Sequence, residues 1–293
     1  MLRTVTPTRL ALACTALAAA IAALGLFAPS PVAAQNTPIT LVPHRAVYEL
    51  KLSQTRGRRP MRAVHGSIFY DFSGNACDGY DLIFRQTSEL DNGEGNPIVS
   101  DTRVTSKEGG KANSLSFESQ TYLNNQPQDQ VSGFAQRNAD GLGVNLTKPW
   151  SKTFDLAPNL VFPTEHILRI IAAAREGKSF LQAAVYDGSE TGEKVYDTLA
   201  VIGPAIPPNE KRPTDAAAKQ PSLAKLTRWR VTISYFDKAE KNIDQTPTYT
   251  VSFELYENGI SRALVLDYND FILSGEMTSL DIKTSKPCAL TGP

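Results

Sequence analysis

The chain is poor in the residues that build metal and redox centres, with three Cys, three His and three Met in 293 positions. So few ligands exclude several metal sites, and the absence of Cys-x-x-Cys argues against thioredoxin-type exchange. An excess of either charge is also missing, with 30 Lys+Arg against 30 Asp+Glu. A general nucleic-acid binder needs a basic face to neutralise phosphates, so that class is set aside. No Gly-x-Ser-x-Gly elbow or phosphate-binding Gly-rich loop occurs, and Gly141-Leu142-Gly143 lacks the rest of a dinucleotide fingerprint. What remains, 41% hydrophobic and 20% charged, is the composition of a globular protein with ample length for a core.

The one long apolar run, residues 10–28, follows Arg3 and Arg9 and precedes Pro29-Ser30-Pro31-Val32-Ala33-Ala34-Gln35. Val32 and Ala34 place small residues at the two positions a signal peptidase reads, so 1–34 is expected to be a signal peptide cleaved after Ala34. The rival is an uncleaved anchor, which a run approaching about 20 residues would permit. Pro29 and Pro31, just before the small residues, favour cleavage. Cys14 stands too early in the apolar run for a lipoprotein signal. Removing 34 residues from 293 leaves 259, formally −2, with two cysteines, Cys77 and Cys288. In an oxidising compartment only one intramolecular pairing is open to them. It would restrict the unfolded chain by at most about 5 kcal/mol. Two free buried thiols, or one surface thiol bridging to another molecule, are the alternatives.

Period-two alternation dominates the mature chain. Ala46, Tyr48, Leu50 and Leu52 share one strand face, as do Val64, Gly66, Ile68, Tyr70 and Phe72, then Tyr80, Leu82 and Phe84. Leu115, Phe117 and further residues to Leu123, and then Leu142, Val144 and Leu146, repeat the pattern. Such alternation belongs to antiparallel sheets with one buried face. Asn92-Gly93, Asp140-Gly141, Asp187-Gly188 and Asn258-Gly259 mark turns. Only 164–176 reads as a helix, with Thr164 as N-cap, Gly177 as stop and Ile167, Leu168, Ile170 and Ile171 on one face. Residues 203–225 carry five prolines among Lys, Ala and Asp, and are expected to form an exposed loop. About a dozen strands with one helix imply a single mainly β domain over 35–293, as a barrel-like or strongly curled sheet.

Candidates for chemistry are few. His166 sits in the first turn of the expected helix without a His-Glu-x-x-His partner, and reads as a satisfied surface or core residue. Asp267, Asn269 and Asp270 resemble a fragment of a calcium loop, but a polar turn is the simpler reading. Asp71, Asp81 and Glu89 would serve as paired carboxylates for glycan cleavage only if the fold gathered them. Asn145-Leu146-Thr147 is a glycosylation sequon of little specificity. Tyr48, Phe69, Tyr70, Phe84, Phe117, Phe134, Trp229, Phe236 and Phe253 would either line a hollow inside the curled sheet or fill it.

Several stretches together resemble the cell envelope integrity protein EipB family of alphaproteobacteria. They include 41–48 (Leu-Val-Pro-His-Arg-Ala-Val-Tyr), Phe162-Pro163-Thr164-Glu165-His166 and Val185-Tyr186-Asp187-Gly188-Ser189. Trp229-Arg230-Val231, Glu254-Leu255-Tyr256-Glu257-Asn258-Gly259, Leu266-Asp267-Tyr268-Asn269-Asp270-Phe271 and the final Cys288 continue the match. The resemblance implies a periplasmic protein folded as a many-stranded antiparallel β-spiral, with one disulfide that carries over to Cys77 and Cys288. It further implies a role in maintaining the envelope under stress, together with a periplasmic tetratricopeptide-repeat partner, and no catalytic residues. The expectation is a non-enzymatic protein with no catalytic, cofactor or metal residues, binding an envelope component or that partner. A carrier of lipid, peptide or acylated protein in a sheet-lined cavity is the alternative, and an envelope glycan hydrolase the weaker one.

Overall fold

The computed structural model describes residues 38–56, 61–208, 210, 212–239, 246–284 and 288. The expected signal peptide and its cleavage site lie outside the described residues. One compact unit starts at Ile39. Its first half is a run of antiparallel strands: β1 (His44–Thr55), β2 (Ala63–Asn75), β3 (Gly79–Asp91), β4 (Ile98–Glu108), β5 (Ser114–Leu123), β6 (Gln126–Arg137), β7 (Leu142–Lys148) and β8 (Lys152–Leu156). Helix α1 (Pro163–Arg175) follows, and then β9 (Phe180–Val185) and β10 (Tyr196–Ile206). A four-residue helix α2 (Pro221–Ala224) precedes β11 (Arg228–Asp237), β12 (Tyr249–Tyr256), β13 (Ser261–Asp267) and β14 (Phe271–Ile282).

The order in space is β8 to β1, then β14 back to β9, so each half is a meander and β1 against β14 joins them. Strands twist with a fixed hand, and a sheet of 14 curls rather than staying flat. It does not close: β8 and β9 remain at the two ends of the order. The fold is an open, antiparallel β-spiral with one main helix. Alternation decides which face turns inward. On β1, His44, Ala46, Tyr48 and Leu50 are buried while Arg45, Glu49 and Lys51 face solvent. On β7, Leu142, Val144 and Leu146 are buried. The core falls into two clusters, one around β1, β2, β11 to β14 and the inward face of α1, the other around β5 to β7 with Phe162 and Tyr186.

The structure corrects the start of the helix. Pro163 is its first residue and Phe162 the N-cap, so Thr164 lies inside the first turn and does not cap it. The backbone N–H groups of Thr164 and Glu165 instead donate to the carboxylate of Glu108 on β4, at 2.8 and 3.0 Å. A tertiary acceptor satisfies helix N–H groups as well as a local side chain does. At the other end Gly177 (φ +73) allows Lys178 N–H to reach Ala173 O at 2.9 Å, a left-handed stop.

The proline-rich segment is a second correction. The expected exposed loop at 203–225 begins inside β10, and its later half lies down on the sheet, burying Asp215, Ala218 and Leu223. Asp215 pairs with Arg262, and Gln220 donates to Leu280 O at 2.8 Å. Burial of alanine and leucine and a charged anchor outweigh the solvated habit that proline and lysine suggest.

Cys77, in the β2–β3 turn, is disulfide-bonded to Cys288, with Cα atoms 5.6 Å apart across 211 positions. Asn75 Oδ1 accepts the N–H groups of Cys77 and Asp78 at 2.8 and 2.9 Å and so shapes that turn. The bond fastens the chain beyond β14 to the strand pair two positions away in the sheet.

Candidate functional site

The inward faces of the spiral meet around a cavity of about 330 Å³. That is near the lower end of the roughly 300–1,000 Å³ of small-molecule sites. Tyr48, Ile68, Tyr70, Phe72, Leu82 and Phe84 form one wall from β1 to β3. Val251, Phe253, Leu255, Leu264 and Leu266 form the opposite wall from β12 and β13. Pro163, Thr164, His166 and Ile167 of α1 close one side, and Asp187 and Tyr235 add polar groups to another. Two larger hollows, of about 630 and 660 Å³, have different chemistry. The first is a groove with Asp81, Lys107 and Glu118 beside exposed Ile83 and Phe134, and the second lies under the proline-rich segment beside Arg228.

Of the aromatic residues weighed from the sequence, Tyr48, Tyr70, Phe84 and Phe253 line the cavity, while Phe117 and Trp229 fill core clusters. Phe134 is exposed, and Phe69 and Phe236 lie out of phase with Tyr70 and Tyr235, on the other face. The cavity aromatics are held in place. His44 stacks on Tyr70 at 5.4 Å between centroids and Phe72 on Tyr80 at 5.1 Å. Tyr48 donates its hydroxyl to Ser261 O at 2.8 Å, and burial pushes that phenol up to about 12.

Burial disfavours the charged form of each titratable group around the cavity. His44 Nδ1–H donates to Val42 O at 2.8 Å, and burial lowers the imidazole below its usual range. His166 is buried and its pKa falls to about 4 for the same reason, with Arg169 adding to it. Thr198 gives its one hydroxyl proton to Ala183 O at 2.9 Å, so His166 Nε2–H is the donor to Thr198 Oγ1 at 3.3 Å. Asp187 is raised above the usual carboxylate range, chiefly by burial, although Ser189 N–H donates to its Oδ1 at 2.9 Å. Beside it Tyr235 and Tyr249 stack at 4.4 Å, with Tyr196 edge-on to both.

The remaining sequence candidates lie elsewhere. Asp71 pairs with Arg45 and Lys283, which outweigh burial and keep its carboxyl low. Asp81 pairs loosely with Lys107 at 3.5 Å, and Glu89 is exposed opposite His65 on β2. The three carboxylates therefore make no common cleft with an acid and a base. Asp267, Asn269 and Asp270 form the β13–β14 turn, where Asn269 (φ +69) donates to Asp267 Oδ1 at 3.0 Å and Arg56 pairs with Asp267. Among the described residues no group of three His, Cys, Asp or Glu side chains converges as a metal site, and no helix is long and apolar enough to cross a membrane.

Sequence reasoning did not single out Tyr235, Tyr249 or the inward face of Asp187. For Tyr235 a signal existed, because it continues the period-two set Trp229, Val231, Ile233. Asp187 carried only a turn signal with Gly188, and nothing local says which way a turn carboxylate points.

Fold and cavity define a class: open, barrel-like antiparallel β proteins with an aromatic-lined interior. Within that class the sequence matches the EipB-like family over residues 35–284. The chain is 34% identical over 250 residues to the cell envelope integrity protein EipB of Brucella abortus strain 2308, covering 85% of this chain and 87% of that one. The crystal structure of a β-barrel-like protein of a domain of unknown function from Brucella abortus matches with a TM-score of 0.77 and 32% identity. That match covers 84% of this chain and 100% of the other. The chain belongs to the EipB-like family.

Proposed function

We propose that this chain is a non-enzymatic protein of the periplasm that supports the cell envelope by holding an apolar envelope component inside its spiral. The observation that carries the reading is the cavity of about 330 Å³, walled by aliphatic and aromatic side chains from both meanders. Three further points support it. The relative from Brucella abortus is named for cell envelope integrity. The sequence has a signal-peptide pattern ending at Ala34. The carboxylates suited to glycan cleavage are dispersed and Asp71 is tied up in ion pairs. A tetratricopeptide-repeat partner belongs to the same reading, as the protein to which a loaded chain would dock.

The experiment is deletion of the gene followed by complementation. Loss should sensitise cells to detergent and to envelope-directed antibiotics. Wild type should restore resistance, and Val251→Trp, which fills the cavity from β12, should not, provided its melting temperature stays near wild type. Full restoration by a folded Val251→Trp would contradict the reading.

A further inference from the structure

We infer that Asp187 selects the occupant of the cavity, favouring a single apolar chain that ends in an ammonium group over one that ends in a carboxylate or phosphate. The inference rests on the proposed reading of the cavity as a ligand site, and adds the chemical class of the ligand.

Among the described residues that line the cavity, Asp187 is the one acid, and neither Lys nor Arg is present. A bound carboxylate or phosphate would find no cation in these walls, and would meet Asp187 in a medium where like charges repel strongly. The two imidazoles offer no positive charge either, since burial holds both His44 and His166 neutral. An ammonium finds the opposite. Asp187 is fixed for it, because Ser189 N–H holds Oδ1 at 2.9 Å. Burial without a counter-ion holds this carboxyl above its usual range, a cost that an entering cation removes.

The aromatic surroundings act in the same direction. Tyr235 lines the cavity, stacks on Tyr249 at 4.4 Å and takes the edge of Tyr196 at 5.9 Å. Aromatic faces attract ammonium groups and do not attract anions. Tyr196 OH donates to Glu190, whose carboxylate Lys194 already meets at 2.6 Å, so Asp187 is the acid left for an entering cation. The opposite wall, with Leu255, Leu264 and Leu266, is aliphatic and receives the chain.

The test uses displacement of an environment-sensitive naphthalene dye from the full mature chain at pH 7.5, by dodecylamine, dodecanol and dodecanoate below their micellar concentrations. Wild type should prefer the amine to the carboxylate by about tenfold or more, with the alcohol between them. Asp187→Asn should bring the amine to within about threefold of the alcohol. If wild type binds dodecanoate as tightly as dodecylamine, the selectivity is wrong and the cavity reading stands. If the dye does not bind and none of the three protects the chain from thermal unfolding, the cavity reading itself fails. The wild-type order is decisive even if Asp187→Asn does not fold.

Discussion

Arg262 on β13 donates to Asp215, and that ion pair holds the proline-rich segment against the outer face of the sheet. Both side chains are almost fully buried. Arg262 also donates to Glu254 on β12, which accepts from Arg228 on β11, while Asp215 Oδ2 takes the N–H of Met277 at 3.2 Å. Four strands and one segment thus share a single network. Asp215→Ala leaves the buried Arg262 guanidinium with one of its two carboxylate partners, and should destabilise by about 2–4 kcal/mol. Asp215→Asn keeps an acceptor for Met277 and should cost less. Urea denaturation checks the order, and an alanine effect below about 1 kcal/mol would be that of an ordinary surface change.

The disulfide should matter as a global restraint. Cys77 and Cys288 close a loop of 211 positions, and losing such a bond costs about 2–5 kcal/mol. Cys77→Ser and wild type in reductant should therefore melt at the same lowered temperature. A wild type indifferent to reductant, with the bond shown broken by thiol labelling, would count against this.

Gly188 follows Asp187 at φ +70, and a Cβ placed there would lie 2.4 Å from the Phe117 ring. Gly95 has a similar φ of +79 with nothing within 4 Å. Alanine at Gly95 should cost only the left-handed backbone, about 1–2 kcal/mol. Alanine at Gly188 should cost a further 1–3 kcal/mol or so for overpacking, and should move Asp187 enough to weaken dodecylamine binding. Equal melting temperatures for the two variants would refute the contact.

Glu108 gives a pH dependence with a definite sign. Burial pushes its carboxyl up to about 7 from the ordinary 4.5, against the two helix N–H groups it accepts. Between those values the folded state keeps a proton that the unfolded chain has released, so this contribution to stability falls as pH rises through the window and is flat above it. His166, lowered to about 4, acts in the opposite sense from there up to its ordinary 6.5, so wild type alone does not isolate the effect. Asp101, held down to about 2 by Arg85 and then Arg103, contributes stability that is lost only as pH falls toward that value. Glu108→Gln should gain on wild type between pH 5 and pH 8 in urea titrations. Parallel curves would show that Glu108 does not titrate there.

Much of this architecture was legible because strand burial has a period of two, which is written directly into His44, Ala46, Tyr48 and Leu50 and their counterparts on later strands. The helix was legible from its apolar face, but not its first residue, because the groups that satisfy its N-terminus come from Glu108 on a distant strand. The proline-rich segment misled for a similar reason: Asp215 is a surface residue by composition, and a buried one only once Arg262 is brought to it. The site was half legible. Alternation marks Tyr70 and Phe253 as inward, but whether inward side chains fill a space or border it depends on how tightly the sheet curls, which no single strand encodes.

The spiral, in the proposed reading, carries an apolar ligand. Native mass spectrometry of the protein isolated under gentle conditions from the cells that make it checks this. Wild type should carry a non-covalent adduct of amphiphile mass that Val251→Trp lacks, both proteins being folded. Wild type that flies only at its bare polypeptide mass, and that takes up no added dodecylamine, would show that the spiral holds no such ligand.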